Sequence, residues 1–389
     1  MTIVDTPERR QLRELTRAFV TKEVLPYLDD WERAGEVPRS LHETAAKIGL
    51  LGIGFPESVG GSGGDLLDSI LVTEEIIRSG GSSGLVAALF THGIALPHIV
   101  AACGGGAGSA AAGPQHLIER YVRPTLAGTM IGALAITEPD GGSDVAGIRT
   151  CARRDGEHYV VNGSKTYITS GVRSDFVTTA VCTDFPGSGS LSLLVIEKGM
   201  PGFTVGRRLE KLGWHCSDTA ELSFVDVRVP VANRIGPEDT GFLAIMQQFA
   251  TERLSLATQA YATAQRCVEL ATRWCRDRST FGRPLASRQL VRHRLAGMHT
   301  RAEAARAYVH DVAERVAAGE PVVTEVAMAK NVAVAACDFV VDAALQLHGG
   351  FGYLRDAEVE RHYRDARILG IGGGTTEIMN EIIAKGMGL

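Results

Sequence analysis

A charged run near the end of the chain leads into three successive glycines, Gly372, Gly373 and Gly374. A segment without side chains permits backbone conformations that are closed to other residues, and it lets a bulky, flat ligand lie against the main chain. A new helix is predicted from Thr375 onward, and its first turn offers free N–H groups to a ligand. The sequence therefore predicts a ligand-binding segment at this tri-glycine.

A second polar segment, 136–144, follows a strand-like run at 131–136. The hydroxyl groups of Thr137 and Ser143 flank a glycine-rich turn, which can present N–H and O–H donors to the polar edge of a cofactor. Taken alone, this pattern is typical of an ordinary loop. Two β-rich runs over 158–169 then surround Asn162 and Gly163, and this arrangement predicts a β-hairpin.

Charged residues occur at both ends of the long helix that is predicted over 241–278. Arg278 lies at its carboxyl end, where the helix dipole favours a cation. Glu252, followed by Arg253 and Leu254, lies near the predicted opening of this helix, where the dipole favours an acid. In isolation, such a Glu-Arg pair is typical of a solvated surface.

The periodicity of the apolar residues divides the chain into three parts. Helical spacing dominates 7–127, short β-rich runs follow at 176–181, 191–196 and 220–225, and long helices are predicted over 241–278, 287–319 and 321–347. We therefore predict an α+β protein with an N-terminal helical domain at 1–127, a middle β-barrel or sandwich domain at 128–240, and a C-terminal bundle of four or five long helices at 241–389. The Gly/Ala-rich residues 104–114 are predicted to form a flexible surface loop.

The segments 364–378 and 136–144 resemble two signatures of the acyl-CoA dehydrogenase flavoproteins, and the resemblance extends over nearly the whole chain. It implies FAD as the cofactor and the α,β-dehydrogenation of an acyl-CoA thioester to the trans-enoyl-CoA, with a hydride passing to flavin N5. It also implies an electron-transferring flavoprotein as the partner that accepts the electrons, and a homotetramer in which neighbouring subunits share the cofactor sites.

The resemblance also assigns residues to the cofactor. Thr137, Tyr167 and Thr169 would contact the flavin ring, and Ser143 the pyrophosphate. Arg278 would bind a flavin phosphate, and Phe281 would pack on the flavin of a neighbouring subunit. The remaining cofactor-binding residues that it implies are Gln346, Gly350, Thr375 and Glu377.

The catalytic base is where this chain departs from most of the family. A glutamate usually occupies the position that Gly373 holds here. A smaller branch, which includes the isovaleryl-CoA and mammalian long-chain enzymes, has its glutamate in a Glu-Arg-Leu setting on the first helix of the C-terminal domain. The resemblance to this branch implies that Glu252 is the base. The N–H of Gly373 would then polarise the thioester oxygen.

Composition excludes several other classes. The net charge of −5 gives no basic field for nucleic acid or an anionic membrane, and no apolar run reaches the roughly 18 residues that span a bilayer. The N-terminus lacks the apolar region of a signal peptide, and the seven cysteines include no CxxC pair, so we expect a cytoplasmic protein without metal or disulfides.

Alternatives remain at this point. The oxidation could act on an acyl group tethered to a carrier protein, or the chain could be a flavin-binding protein that has lost dehydrogenation, as in a DNA-associated branch of the family. A dimer could replace the tetramer.

Overall fold

The computed structural model describes residues 5–104, 115–185 and 188–389. Along this part of the chain, helices come first, strands follow, and helices return. The predicted fold class is confirmed: an N-terminal helical region, a middle β region and a C-terminal helical region. Apart from residue 104, the loop predicted at 104–114 lies outside the described residues.

Helices form the described chain before the first strand. They are α1 (Pro7–Phe19), α2 (Leu28–Ala34), α3 (Arg39–Lys47), α4 (Leu66–Arg78), α5 (Ser83–Leu89), α6 (His92–Ala102), α7 (Gln115–Leu117) and α8 (Arg123–Leu126). Capping side chains fix where the two longest of these begin. Thr6 accepts a hydrogen bond from the Arg9 N–H at 3.2 Å before α1, and Asp65 and Asp68 form a reciprocal capping box at the start of α4.

Eight strands make up the sheet of the middle region in the described residues. They are β1 (Gly132–Ala135), β2 (Cys151–Asp155), β3 (His158–Thr169), β4 (Phe176–Cys182), β5 (Leu191–Glu197), β6 (Phe203–Arg208), β7 (Thr219–Pro230) and β8 (Arg234–Ile235). Their order in the sheet is β6-β7-β3-β2-β4-β5-β8, and β1 pairs in parallel with β4. The strands predicted at 176–181, 191–196 and 220–225 are confirmed as β4, β5 and part of β7.

The hairpin predicted over 158–169 is wrong, because these residues form the single strand β3, which pairs with β7 along its length. Asn162 and Gly163 occupy a bulge in that strand, where the register with β7 shifts. Gly163 has φ 149°, and a Cβ there would lie 2.5 Å from Oγ1 of Thr150. The glycine therefore allows the close approach of the chain at Thr150 and makes no turn.

The C-terminal helices begin and end close to the predicted positions. The elements of this region are α9 (Gly241–Asp277), β9 (Ser279–Thr280), β10 (Arg283–Pro284), α10 (Gln289–Ala317), α11 (Val323–His348), α12 (Glu358–Ala366) and α13 (Thr376–Gly386). Among the described residues, α9, α10 and α11 have 37, 29 and 26 residues, whereas α12 and α13 have only 9 and 11. The bundle therefore has three long helices, one fewer than the lower number predicted.

The long helix α9 crosses from one hydrophobic core to another. Its early residues Ile245 and Phe249 pack with β4, β5 and α6, whereas Leu254 and Leu256 belong to the core that α9 shares with α4, α10 and α11. Glu252 lies between these two sets of apolar contacts. A polar side chain at this boundary can be held among packed elements and still reach the space between them.

The described helices give little indication of a membrane-spanning segment. No single described helix is long and apolar enough to cross a bilayer, although the bent pair of α5 and α6 meets the criteria of length and composition together. Leu85 and Leu89 of α5, and Leu96 and Ile99 of α6, are fully buried in the cores of the protein.

Candidate active site

Glu252 lies about three turns inside α9, which begins at Gly241. The predicted stabilisation of this acid by the helix start is therefore wrong, because the dipole acts within the first turn of a helix. Burial controls the carboxyl group instead. It raises the pKa of Glu252 above the ordinary value, and the charges of Lys330 and Arg253 oppose this rise. The carboxylate forms no hydrogen bond or ion pair with the described residues, so its oxygens are available to a ligand.

The tri-glycine lies directly against this acid. Gly373 has φ +62°, and a Cβ built on it would lie 3.3 Å from Oε1 of Glu252 and 2.6 Å from Cδ1 of Leu256. The backbone therefore needs glycine both for its left-handed conformation and for its close approach to α9. Nε of Arg253 donates to the carbonyl of Gly373 at 3.4 Å. The structure brings the two residues of the predicted catalytic pair, Glu252 and Gly373, into contact distance.

A buried lysine that the sequence analysis missed holds the tri-glycine. Lys330 of α11 is 1% exposed, and its Nζ donates hydrogen bonds to the carbonyl of Gly372 at 2.5 Å and to that of Gly374. Burial lowers the pKa of Lys330 to about 8; Arg253 adds to this effect and Glu252 opposes it. A signal was present in the sequence. The residues three and four positions away on α11 are Val326, Ala327, Ala333 and Val334, all buried, so the lysine lies on an apolar helix face.

A narrow pocket opens beside the acid, with about 10 Å³ of free volume. Three elements line it: α6, β1 and α9. The lining residues are Gly93, Ile94, His98, Leu134, Gln248, Phe249, Thr251 and Glu252. The N-terminal, middle and C-terminal parts of the chain all contribute to this pocket.

The residues predicted for the flavin ring meet where β1 ends beside β3. The N–H of Thr166 donates to the carbonyl of Thr137 at 2.9 Å, which brings Thr137 next to the stretch of β3 that carries Tyr167 and Thr169. Tyr167 has φ 60° and is 69% exposed, so its ring is open to a ligand. Ser143 is exposed in the glycine-rich turn.

A second buried lysine, for which the sequence alone indicated no role, fixes this turn. Nζ of Lys165 donates to the carbonyl of Ile136 at 2.9 Å and to Oε1 of Glu138 at 2.8 Å. The Glu138 carboxylate also accepts from the backbone N–H groups of Arg149 and Thr150. These contacts tie both ends of the turn to β3.

The other predicted cofactor residues cluster far from Glu252. The guanidinium of Arg278 lies 6.0 Å from the ring centre of Trp274, and that ring stacks on His348 and Phe351, close in sequence to Gln346 and Gly350, which are both exposed. Phe281, at the tip of the β9–β10 hairpin, is 96% exposed with φ 51°.

Distance along α9 separates this cluster from the acid. Arg278 follows Glu252 by 26 positions, so the helix places them about 39 Å apart. Arg278, Gln346 and Gly350 therefore lie in one region of the structure. Glu252 and Gly373 lie together in another region, and the ring-contact residues also lie apart from Arg278.

Thr375 and Glu377 lie at the start of α13, directly after the tri-glycine. The hydroxyl of Thr375 accepts a hydrogen bond from the Ile378 N–H at 3.3 Å, which confirms the predicted helix start. Glu377 is exposed in the first turn, where its own N–H and the Thr375 hydroxyl lower its pKa. Their contact with a cofactor stays a prediction.

Comparison with known proteins agrees with this geometry. Models of the N-terminal, middle and C-terminal domains of acyl-CoA dehydrogenases match residues 6–107, 133–227 and 239–388. A solved structure from Mycobacterium abscessus, described as a probable acyl-CoA dehydrogenase, is 63% identical with a TM-score of 0.94, over 98% of this chain and 99% of that one. The helical, β and helical regions thus correspond to the three domains of one class of α+β enzymes.

Two curated relatives extend the comparison. The long-chain specific acyl-CoA dehydrogenase of Rattus norvegicus mitochondria is 39% identical over 96% of this chain and 85% of its own length. The acryloyl-CoA reductase (NADH) of Anaerotignum propionicum is 36% identical over 98% of this chain and 94% of its own. The chain belongs to the acyl-CoA dehydrogenase family.

Proposed function

We propose that this chain is an FAD-dependent acyl-CoA dehydrogenase in which Glu252 removes the α-proton of a saturated acyl thioester. The contact between Glu252 and the tri-glycine is the observation that carries the proposal, because a Cβ at Gly373 would lie 3.3 Å from Oε1 of the acid. A substrate carbon held beside Gly373 is therefore within reach of the carboxylate. The same contact supports membership of the branch that includes the isovaleryl-CoA and long-chain enzymes.

The surroundings of Glu252 suit a base that acts on a weak carbon acid. Burial raises the pKa of the carboxyl group, and a higher pKa makes its carboxylate a stronger base. The positive charges of Lys330 and Arg253 favour the ionised form, which is the form that accepts a proton. Burial thus strengthens the base, and the two neighbouring cations oppose the loss of its charge.

The N–H of Gly373 is the proposed donor to the thioester oxygen, where enolate-like charge builds as the proton leaves. Lys330 acts as a positioning residue for this donor. Its Nζ binds the carbonyl of Gly372, which belongs to the same trans peptide as the Gly373 N–H. Because the two groups of a trans peptide point in opposite directions, Lys330 turns that N–H away from α11.

FAD would supply the acceptor for the β-hydride. The residues proposed to hold it are those of the resemblance, and the structure fits a flat, polar-edged group in two respects. Tyr167 presents an exposed ring on β3, next to the backbone of Thr137. Thr169, Ser143 and the first turn of α13, with Thr375 and Glu377, supply hydroxyl and N–H groups for the polar parts.

A second copy of the chain is proposed to complete each cofactor site. The separation of about 39 Å along α9 argues against one flavin being bound by Arg278 and lying beside Glu252 in the same chain. Arg278, Phe281, Gln346 and Gly350 would therefore serve the FAD of another subunit. We propose the homotetramer that the resemblance implies, with domain boundaries at 1–127, 128–240 and 241–389.

The acryloyl-CoA reductase relative favours a second candidate, the reduction of an enoyl-CoA. The same residues would act in reverse, with Glu252 returning a proton to the α-carbon. The electron partner decides the direction, and we propose an electron-transferring flavoprotein for this role.

The test is an anaerobic titration of the purified flavoprotein with acyl-CoA thioesters and with acyl groups on a carrier protein, followed at the flavin absorbance. We expect bleaching by an acyl-CoA in the wild type, and a loss of several orders of magnitude in its rate in Glu252→Gln. Glu381→Gln is the matched control, because within the described residues the one ion pair of this exposed acid is with Lys385, at 3.8 Å. If only carrier-bound substrates bleach the flavin, the substrate is an acyl group on a carrier protein and not an acyl-CoA. Bleaching at the wild-type rate in Glu252→Gln would refute the role of Glu252 as the base.

A further inference from the structure

The pocket beside Glu252 has more polar lining than a hydrocarbon chain requires. Besides the acid itself, His98, Gln248 and Thr251 contribute to its wall, together with apolar residues such as Ile94 and Leu134. Thr251 is satisfied locally, because its hydroxyl donates to the carbonyl of Gln248 at 3.0 Å. The side chains of His98 and Gln248 are the polar groups left for a ligand.

His98 differs from the other buried histidine on its helix. It is 4% exposed, and its Nδ1 has no hydrogen-bond partner within the described residues. On the same helix α6, His92 is equally buried, but its Nε2 bonds to the carbonyl of Leu51 at 2.9 Å. A buried polar atom without a partner costs about 1–3 kcal/mol, so the unpaired nitrogen of His98 points to a partner supplied by the substrate.

Gln248 faces the same pocket from α9. Its side-chain amide makes no hydrogen bond within the part of the chain that the structure describes. The amide offers both a donor and an acceptor. His98 and Gln248 therefore approach the pocket from two different helices with unused hydrogen-bonding groups.

The charge state of the pocket limits which polar group fits. Burial lowers the pKa of His98 to about 4, so the imidazole is neutral near pH 7 and has one donor and one acceptor nitrogen. Glu252 lines the same narrow space. A carboxylate on the substrate would bring a second negative charge beside that acid without a cation from His98, whereas a hydroxyl or keto oxygen meets no such repulsion.

We propose that the acyl group accepted by this site carries a neutral hydroxyl or keto oxygen beyond its β-carbon, and that His98 and Gln248 bind this oxygen. The inference rests on the proposed function, because it takes the pocket at Glu252, which has room for about one water-sized group, to be part of the acyl site. An unsubstituted acyl chain would leave Nδ1 of His98 buried without a partner, and a site built for a hydrogen bond discriminates against a substrate that lacks it.

The experiment compares medium-chain acyl-CoA esters that carry one hydroxyl at successive positions beyond the β-carbon with the unsubstituted ester. In the wild type, kcat/KM for at least one hydroxylated isomer should exceed that for the plain chain. His98→Leu should reduce this preference by roughly five- to tenfold, the effect of losing one buried hydrogen bond. His98→Gln, which keeps donor and acceptor groups, should retain most of it, and Gln248→Leu should reduce it independently.

Binding in an unreactive background separates this inference from the proposed function. In Glu252→Gln, calorimetric titration with the favoured hydroxylated ester and the plain ester measures the affinity ratio without turnover, and adding His98→Leu should lower that ratio by the same factor. If the preference for the hydroxylated over the plain ester is the same in the wild type, His98→Leu and Gln248→Leu, or if the wild type prefers the plain ester, the inference is overturned and the dehydrogenase reaction still stands. If no ester bleaches the flavin but the affinity ratio still depends on His98, the proposed reaction fails and the binding site stands.

Discussion

Replacing Lys330 with methionine tests how the tri-glycine is held. The substitution keeps the buried stem and removes the ammonium group that binds the carbonyls of Gly372 and Gly374. Two charge-assisted hydrogen bonds contribute roughly 3–6 kcal/mol. Against this, the lowering of the pKa of Lys330 from 10.5 to about 8 corresponds to a cost of about 3 kcal/mol for keeping the charge buried at neutral pH.

These opposing contributions predict that Lys330→Met changes the free energy of unfolding by no more than about 3 kcal/mol. Catalysis should also suffer, because the peptide that carries the Gly373 N–H loses its fixed direction. We expect kcat to fall by roughly one to two orders of magnitude, somewhat less than the loss of an oxyanion donor outright. Chemical denaturation and steady-state kinetics on the same preparation measure the two effects.

The pH dependence of activity should also shift in Lys330→Met, and the direction of this shift can be predicted. The positive charge of Lys330 lowers the pKa of Glu252, so its removal raises that pKa. Because the base acts only when ionised, activity is lost as the pH falls through the pKa of Glu252, and this acid limb should move to higher pH in Lys330→Met. Lys385→Met is the matched control, since that lysine is exposed and, in the part of the chain that the structure describes, forms an ion pair with Glu381 alone. An acid limb at the wild-type position, with unchanged kcat, would refute the reasoning.

Three further substitutions test neighbouring parts of the account. Gly373→Ala should cost about 1–2 kcal/mol of strain at φ +62° and also reduce kcat by crowding Leu256, whereas Gly156→Ala, at φ +59° with open space, should show the strain alone in thermal unfolding. Adding Gly373→Glu to Glu252→Gln should restore part of the bleaching rate, because that side chain would start beside Glu252, although it also crowds Leu256; activity equal to the single variant contradicts a shared target only where the double variant keeps the FAD content and thermal stability of the single one. Phe281→Ser should reduce the FAD content and weaken the oligomer in sedimentation, unlike Leu212→Ser at another exposed apolar position; an unchanged FAD content and sedimentation coefficient would argue against a shared site.

The composition of each segment was enough to predict where the long C-terminal helices lie. Residues 241–278, 287–319 and 321–347 combine strong helix formers with an absence of internal proline, and the structure has helices within two residues of those bounds. Local patterns of this kind need no knowledge of the neighbours, which is why they were predictable.

The misplaced hairpin shows where local patterns stop being sufficient. Asn162-Gly163 has the composition of a tight turn, but the crowding that requires glycine there comes from Thr150, a residue on a different segment. Pairing with β7 carries the strand through the bulge. Tertiary contacts of this kind are not encoded in the spacing of the nearby residues.

The candidate site was only partly accessible from the sequence. The tri-glycine was apparent from composition, and the resemblance led to Glu252, yet the dipole argument for that acid was wrong because α9 begins at Gly241. Lys330 and His98 were missed because each is a polar residue among mostly apolar neighbours on its helix. Their roles depend on which backbone carbonyl or pocket lies opposite, and only the packed structure provides that information.

The most direct test of the central claim follows the α-proton alone. Acyl-CoA is incubated with the flavoprotein in deuterium oxide, and mass spectrometry measures the exchange of its α-hydrogen for deuterium. We predict exchange in the wild type and in Glu381→Gln, and its loss in Glu252→Gln. Exchange at the wild-type rate in Glu252→Gln would contradict the assignment of this acid as the base.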